Sequence, residues 1–509
     1  MSSQMHAVGP RRVRAKRFAA RAMALGILGG VVQVVSAATT ASASSVIGSW
    51  GPRFDLPLVV IHASVLPNEA GKVLLFSSRG PSVGSAAYLW DSATGALTNV
   101  SVTYSHDMMC GGNTMLSDGS VFVAGGRISA EKTSIFDPGS DTWVPGPSMA
   151  SARYYPSTIE LPDGKVLIFY GQSTTVDSYD PETNTIARLP ASANRSDVDL
   201  YPRMHVLPDG KIFNAGPERQ TLLFDPATNT WSPMGLMAHA RSAGSSVLLP
   251  GLNKVLASGG NSGAQITKTA DIIDFSAATP QWRPTASMNL ARQDQNTLLL
   301  PDGTVLAVGG KGGGTIPKQA ELFDPVTETW TLMAAQSAQR AYHSIAVLLP
   351  DGRVLSAGDG DGYRLTGEIY SPPYLFKGPR PTIESVSSSS LGYGTGFTIE
   401  TPNAGEIARV ALVKPGPVSH GVNFDQRYLD LAFERGDGAI AATAPGGPNL
   451  APPGWYMLFV LNDAGVPSVA SWVRVRTAPE PGRAGMLGSG IALLSLLSRA
   501  RRRSRAAAG

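Results

Sequence analysis

The sequence of 509 residues has a single cysteine, so no disulfide can form within the chain. Charged residues are scarce as well, at 16% of the chain, whereas there are 56 glycines and 38 prolines. This composition excludes a disulfide-stapled scaffold, a coiled coil and a disordered chain, and it is typical of a turn-rich all-β protein. The lone cysteine, Cys110, is by default a small buried hydrophobe, unless its position in the chain gives it chemistry.

The small positive charge does not indicate a nucleic-acid partner. The formal net charge is +4, and much of the excess lies near the two ends of the chain, in residues 11–21 and 499–505. The central part therefore lacks the basic surface by which nucleic acids are bound.

A tight turn that runs into an apolar strand, as in Leu161–Ile168, occurs seven times along the chain. The turn residues lie 43 to 50 residues apart. They are Gly71, Gly119, Gly164, Gly210, Asn253, Gly303 and Gly352. A nearly fixed period of this length, with Asp-Gly turns and β-branched strands, predicts a seven-bladed β-propeller.

A second phrase follows in several repeats, where an Asp-Pro turn separates two strands and a tryptophan ends the second strand. Its copies are Phe136–Trp143, Phe224–Trp231 and Phe323–Trp330. Such a tryptophan can pack between neighbouring blades. These repeats resemble Kelch-type repeats, and seven of them resemble the propeller of the galactose oxidase and glyoxal oxidase family.

One position of the repeat holds chemically active side chains. Nine residues before the turn residue lie Cys110, Tyr155 and His343, and the same place in two further repeats holds Tyr201 and Asp294. In a propeller, one repeat position maps to one height around the central axis, so these residues converge. The presence of any one of these residues at this position is explained by coincidence as well as by function. The presence of the whole set predicts a functional site on the axis.

Four short motifs extend the resemblance to the copper radical oxidases, over roughly residues 48–476. They are Asp107–Cys110, Ala152–Tyr155, Arg340–Ser344 and His420–Arg427. The resemblance implies a thioether bond between Cys110 and Tyr155. It also implies that Tyr155, Tyr342, His343 and His420 bind one copper ion.

Chemistry gives a reason for such a set. Copper changes oxidation state by one electron, so removing two electrons from an alcohol or aldehyde needs a second one-electron centre. The resemblance implies that the cross-linked Tyr155 is a copper ligand and carries the radical, and that Tyr342 is the axial ligand and the proton acceptor. Two imidazoles and phenolate oxygens suit tetragonal Cu(II). O2 then reoxidises the site and gives hydrogen peroxide.

The composition of the chain changes near both ends and after the seventh repeat. Residues 1–43 predict an export signal, with a small-residue cleavage site at Ala41–Ala43 or after Ala37. We expect the propeller in residues 44–378 and an immunoglobulin-like sandwich in residues 379–477, because a Pro-rich boundary leads into short alternating strands.

His420 lies on a Pro-rich turn of this second domain, which must insert along the propeller axis to reach copper. Residues 478–509 resemble a PEP-CTERM sorting tail processed by an exosortase, the alternative being a plain membrane anchor. Either tail predicts a protein that is secreted or attached to the cell envelope, outside the cytoplasmic membrane, with transient membrane association.

One position of the chain bears on the substrate. Galactose oxidase has an aromatic residue 18 positions after its radical tyrosine, where this chain has Ser173. The sequence therefore favours small aldehydes or simple primary alcohols over galactose. Two alternatives stay open: a non-catalytic Kelch propeller that acts as a surface binding or scaffold protein, and a copper-binding relative with very slow turnover.

The other histidines match no motif of the family. His62, His205 and His239 are therefore expected to be structural. His106 lies close to Cys110, but an ordinary loop histidine is the simpler interpretation.

Overall fold

The computed structural model describes residues 43–67, 71–78, 84–198 and 200–476. The export signal and the sorting tail predicted for the two ends lie outside these ranges. Within them, no helix is both long enough and apolar enough to cross a membrane. The described chain is almost entirely β-structure.

Seven antiparallel sheets follow one another along the chain, each with four successive strands or, in the last, three. We number these blades 1 to 7. Blade 1 has strands His62–Val65, Lys72–Ser78, Ser85–Asp91 and Leu97–Asn99; blade 2 has Gly112–Met115, Val121–Ala124, Thr133–Asp137 and Thr142–Pro145; blade 3 has Ser157–Glu160, Val166–Phe169, Val176–Asp180 and Thr185–Arg188. Blade 4 has Met204–Val206, Ile212–Asn214, Gln220–Asp225 and Thr230–Leu236; blade 5 has Ser245–Leu248, Lys254–Ser258, Ala270–Asp274 and Trp282–Thr285. Blade 6 has Asn296–Leu299, Val305–Val308, Gln319–Asp324 and Thr329–Ala335; blade 7 has Ser344–Leu348, Val354–Gly358 and Thr366–Ser371. Blade 5 also carries a small hairpin, Asn261–Ser262 with Gln265–Ile266.

The repeated turn joins the first two strands of each blade. In blade 3, Asp163 Oδ1 accepts a hydrogen bond from Lys165 N at 3.1 Å, and Gly164 takes a φ of 83° that favours glycine. The two strands on either side of this turn are wholly buried, whereas the fourth strand, Thr185–Arg188, is mostly exposed. The apolar core therefore lies between the blades and close to the axis.

The ring of blades is closed by the start of the described chain. Ser49–Trp50 and Phe54–Asp55 both pair with Thr366–Ser371 of blade 7. The indole of Trp50 also donates to the carbonyl oxygen of Ala334 in blade 6 at 2.8 Å. Because strands from the two ends of the propeller share one sheet, the ring leaves fewer exposed strand edges.

Two further sheets form a sandwich after blade 7. Their strands are Ser385–Val386, Gly396–Glu400, Phe433–Arg435 and Ala439–Thr443 in one sheet, and Ser390–Gly392, Ile407–Lys414, Arg427–Asp430, Gly454–Asn462 and Ser471–Arg476 in the other. The described helical segments are short: a turn of helix in residues 43–47 and three 3₁₀ helices, Ala191–Ala193, Pro373–Phe376 and Ala404–Glu406. The predicted fold class, a seven-bladed propeller followed by a β-sandwich, is confirmed.

The sandwich packs on the face of the propeller that carries the Asp-Gly turns. Trp455 Nε1 donates to the carbonyl oxygen of Asp118 at 3.3 Å, and a guanidinium nitrogen of Arg409 donates to that of Asp302 at 2.6 Å. From this face, residues 415–426 enter the propeller as a hairpin, which we call the finger. Its strands are Val418–Ser419 and Val422–Asn423.

The finger becomes part of the propeller. Ser419 pairs with His62 and Val418 with Ala63, so the hairpin extends blade 1 inwards. The turn of the finger, with His420, therefore lies against the innermost strands, as the expectation for this loop required.

The base of the finger is tied to other blades. Lys414 Nζ lies 2.6 Å from Glu160 of blade 3 and also binds Asp425 at the other end of the finger. The side-chain amide of Gln426 pairs with the backbone N and O of Leu299 in blade 6, at 2.7 and 3.0 Å. These contacts join the second domain to the propeller at the same place where it contributes His420.

Candidate active site

The repeat position singled out in the sequence has one backbone conformation in five blades, and in blade 5 the residue just before that position, Ala243, adopts the same conformation. Each residue there precedes the first strand of its blade and has a positive φ, which for a non-glycine residue costs about 1–3 kcal/mol and is concentrated at functional sites. The residues are Cys110, Tyr155, Tyr201, Ala243, Asp294 and His343, with φ of 69°, 62°, 48°, 53°, 58° and 63°. His420 at the turn of the finger also has a positive φ, of 53°.

Backbone hydrogen bonds link these positions from blade to blade. Tyr155 N donates to Cys110 O at 2.9 Å, Tyr201 N to Tyr155 O at 2.8 Å, and Asp294 N to Ala243 O at 2.7 Å. The loops thus form parts of a ring around the axis, and the side chains that they carry are held in register.

A buried arginine fixes the loop to its own blade in four repeats. Each guanidinium lies two or three residues before the repeat position and pairs with a buried acid on the third strand. The pairs are Arg153–Asp177 at 2.6 Å, Arg241–Asp271 at 2.7 Å, Arg292–Glu321 at 3.1 Å and Arg340–Glu368 at 3.3 Å. The sequence contains a signal for three of these arginines, the Ala-Arg dipeptide repeated at residues 152–153, 240–241 and 291–292.

Two histidines and the cysteine meet at the axis. One donor atom each from Cys110, His343 and His420 lies within 4.8 Å of the others. Cys110 Sγ is 3.5 Å from His420 Nε2, and the two imidazole rings are 4.5 Å apart at nearly a right angle. His343 Nε2 is buried without a hydrogen-bond partner, which is expected of a nitrogen whose partner is a metal ion.

Burial keeps both imidazoles neutral. It lowers the pKa of His343 to about 4, and it lowers the pKa of His420 well below its usual value, with the neighbouring His343 adding to the effect. Neutral imidazole is the form that binds metals, so these groups offer their lone pairs without first losing a proton.

Two phenols complete the arrangement. The hydroxyl of Tyr155 forms a very short hydrogen bond with that of Tyr342, and the Tyr342 ring packs on His343 with centroids 3.8 Å apart. Burial raises the pKa of both phenols, because a phenolate would lose its water; the Cys110 thiol raises that of Tyr155 further. A cation bound beside them would favour the phenolate and oppose this shift.

The donor set fits copper. Imidazole nitrogens and phenolate oxygens are ligands that tetragonal Cu(II) accepts, and the described residues bring two of each to one place. Gly360 makes room for this geometry, because a Cβ at that position would lie 2.4 Å from His343 Nδ1. The Cys110 thiol has a pKa raised by burial to about 11 and packs with Tyr155 in one small buried cluster.

A cavity of about 280 Å³ opens beside these groups. Tyr155, Tyr342 and His420 line it together with apolar side chains such as Leu200 and Val422. Its polar lining residues include Arg203, Ser242 and Asp294. A small molecule in the cavity would therefore contact Tyr155 and Tyr342.

Comparison with known proteins gives the family. The model of the glyoxal oxidase N-terminus matches residues 83–373, and that of the galactose oxidase-like early set domain matches residues 380–475. Galactose oxidase of Gibberella zeae is 31% identical, over 87% of this chain and 73% of that protein. The chain belongs to the copper radical oxidase family.

Two further relatives agree with this. Aldehyde oxidase GLOX of Vitis pseudoreticulata is 30% identical, over 72% of this chain and 82% of that protein. A solved fungal alcohol oxidase of the AA5 family, in complex with copper, has a TM-score of 0.77 and 28% identity, over 85% of this chain and all of its own. The predictions of an oxidase, of copper and of a cysteine–tyrosine radical cofactor are confirmed, and the scaffold alternative is not favoured.

All five residues that the sequence singled out lie in this one place: Cys110, Tyr155, Tyr342, His343 and His420. The copper radical oxidase also has neighbours there whose contacts the sequence did not indicate. Lys311 Nζ lies 5.2 Å from the centre of the Tyr342 ring, and the Tyr154 ring meets that of Tyr155 edge-on at 4.4 Å.

The other histidines differ in their surroundings. His106 Nδ1 lies 2.7 Å from Ser134 Oγ and its Nε2 3.0 Å from the carbonyl oxygen of Gly125, so both nitrogens have protein partners. His205 Nε2 lies 2.7 Å from Ser246 Oγ. His62 stacks on Phe76 and stands edge-on to His420 at 5.7 Å.

Proposed function

We propose that this copper radical oxidase oxidises small, neutral aldehydes or primary alcohols outside the cytoplasm, with O2 as electron acceptor and hydrogen peroxide as product. The observation that carries the proposal is the cavity of about 280 Å³ that Tyr155, Tyr342 and His420 line together. A cavity of this volume leaves room for a small molecule directly beside the two phenols and the imidazole.

We assign the roles that the family motifs imply, and the positions of the side chains support them. His343 and His420 would hold the metal through their neutral nitrogens, with Tyr155 and Tyr342 as the oxygen ligands. Tyr342, hydrogen-bonded to Tyr155 and open to the cavity, would take the hydroxyl proton of a primary alcohol or of a hydrated aldehyde. Copper bound there would supply one of two one-electron acceptors, and Tyr155 joined to Cys110 supplies the other.

Two features of the site support a small neutral substrate, the first over a sugar and the second over an anion. Ser173, at the position of the galactose oxidase aromatic, hydrogen-bonds to Thr175 Oγ1 at 2.9 Å and is absent from the cavity lining. The cavity wall also holds the carboxylate of Asp294, which is 7% exposed. A buried carboxylate disfavours a substrate that is itself an anion.

We further propose the location and processing of the chain. The basic and apolar start of the sequence supports export, residues 44–378 and 379–477 are the propeller and sandwich domains, and the PEP-CTERM-like tail in residues 478–509 supports exosortase processing or transient membrane anchoring. Secretion or attachment to the cell envelope would give the enzyme free access to O2.

The test is peroxide release by the mature, copper-loaded protein under air from a panel of small aldehydes and primary alcohols. Before the assay, the intact mass is compared before and after treatment with copper and O2. Thioether formation removes two hydrogen atoms, and Cys110 should then resist alkylation in denaturant. A Cys110 that stays freely alkylated would contradict the radical mechanism, and a cross-linked protein inactive on the whole panel would contradict the substrate class.

A further inference from the structure

Tyr201 occupies the repeat position of blade 4, next to that of Tyr155, but it is not one of the proposed ligands. Its side chain is buried, with 4% of the residue exposed. The hydroxyl lies 3.0 Å from the carbonyl oxygen of Gly111 and 3.3 Å from His420 Nδ1. One phenol therefore touches the loop of Cys110 and the turn of the finger at the same time.

The partners of the Tyr201 hydroxyl set the direction of its hydrogen bonds. The Gly111 carbonyl only accepts, so the Tyr201 hydroxyl donates its one proton there, and its oxygen is left to accept from His420 Nδ1. A neutral imidazole carries one N–H, so Nε2 of His420 then holds the free lone pair. Nε2 is the nitrogen that faces Cys110 Sγ.

The ring of Tyr201 is also in contact with the radical tyrosine. It meets the Tyr155 ring edge-on at 4.7 Å and lies 5.4 Å from the His420 ring. On its other side it packs against Phe424 of the finger at 5.6 Å. Since Tyr201 N also donates to Tyr155 O, both the backbone and the side chain of Tyr201 connect the two parts of the site.

We propose that Tyr201 is a positioning residue that holds His420 as the Nδ1–H tautomer, with Nε2 directed to the copper, and that ties the finger to the Cys110 loop. The inference rests on the proposed role of His420 as a ligand. Ser419 Oγ lies closer to Nδ1 than the Tyr201 hydroxyl does and is itself 3.4 Å from that hydroxyl, so Ser419 can accept from Nδ1 and donate to the oxygen of Tyr201. When the hydrogen-bond partner of a metal-binding histidine is mutated, metal affinity or activity typically falls by about 10- to 100-fold.

The experiment compares Tyr201→Phe with Tyr456→Phe. Tyr456 is likewise buried and donates to a backbone carbonyl, that of Pro452, at 2.7 Å, but it lies in the sandwich. We expect Tyr201→Phe to weaken Cu(II) binding about 10-fold and to change the pulsed electron spin resonance signal of the remote imidazole nitrogen. Tyr456→Phe should change only the melting temperature. Copper affinity and remote-nitrogen coupling in Tyr201→Phe equal to those of the unaltered protein would overturn the proposal.

A second measurement needs no variant. In metal-free protein with ¹⁵N-labelled histidine, a long-range nitrogen–proton correlation spectrum gives the tautomer of His420, which should carry its proton on Nδ1. A proton on Nε2 would overturn the proposal even if Tyr201→Phe failed to fold. A His420→Ala protein that keeps the copper affinity and the imidazole nitrogen coupling of the unaltered protein would instead overturn the ligand role of His420, so the two failures are distinguishable.

Discussion

The site is built from two regions that deliver side chains in different ways, the blade loops and the finger. The blade loops repeat one backbone conformation, so that Cys110, Tyr155 and His343 have φ between 62° and 69°. The finger supplies only His420, from a hairpin of the second domain that repeats nowhere else in the described chain. A repeated loop gives a ring of equivalent positions, whereas the finger places one ligand inside that ring.

The two regions are also held by different contacts. In four blades, the loop is held by an arginine and an acid of the same blade, as in Arg241–Asp271. The finger is held at its base by Lys414, whose partner Glu160 is 254 residues away in the chain. Loss of a blade contact is therefore local, whereas loss of the Lys414 contact affects how two domains meet at the copper site.

The largest effect should come from the blade loops. Tyr155→Phe removes the phenolate and the ring oxygen of the radical carrier, so peroxide formation should disappear. Tyr342→Phe should leave the Cys110–Tyr155 bond able to form and lower the rate by about 10²- to 10⁴-fold, because a positioned proton acceptor is lost. Both variants should stay folded, since the change opens almost no cavity.

The measurement is peroxide release together with intact mass for each variant. Tyr342→Phe with the mass of the cross-linked protein, and Tyr155→Phe without it, would separate the two roles. A fully active Tyr155→Phe protein would mean that the wrong tyrosine, or the wrong chemistry, has been assigned.

The next effect tests the finger against a blade. Lys414→Met leaves Glu160 and Asp425 buried without their cation, and Arg241→Met does the same to Asp271 in a blade whose loop carries no ligand. Removing one partner of a buried ion pair costs about 3–5 kcal/mol of the free energy of unfolding. We expect this loss in both variants, but a change in Cu(II) spin resonance and copper affinity in Lys414→Met alone.

Denaturant unfolding and copper titration of both variants make the comparison. Equal loss of copper affinity in Arg241→Met would show that the blade contacts, and not the base of the finger, position His420. Unaltered copper binding in a destabilised Lys414→Met protein would show that the finger keeps its place through strand pairing alone.

The sequence predicted the blade side of the site better than the finger side, for a physical reason. In a propeller, equivalent positions of successive repeats lie in a ring around the axis. The period of the sequence was therefore enough to predict that Cys110, Tyr155 and His343 lie close together. His420 could be placed only through a motif, because no periodicity relates the finger to the blades. The contact of Tyr201 with His420 spans 219 residues and depends on how two domains dock, which no local pattern encodes.

The smallest expected effect concerns the cavity, whose lining includes Asp294 of a blade loop and Val422 of the finger. Asp294 Oδ2 lies 3.7 Å from Lys311 Nζ and 3.3 Å from Gln293 Nε2, while no donor among the described residues reaches Oδ1. Burial raises the pKa of Asp294, and the nearby Lys311 opposes this. The carboxylate should therefore act on a bound substrate through its charge and its free oxygen.

Asp294→Asn should raise kcat/KM for an anionic aldehyde, glyoxylate, relative to the neutral aldehyde glyoxal. Two unit charges about 10 Å apart at an effective dielectric constant of about 20 repel by roughly 1.7 kcal/mol, so the ratio should change about 10- to 20-fold. Asp361→Asn is the matched control, because Asp361 binds the same Lys311 at 2.8 Å but does not line the cavity. If both variants change the ratio equally, Lys311 and not Asp294 sets the preference; if neither does, the blade loops position the chemistry but do not select the substrate.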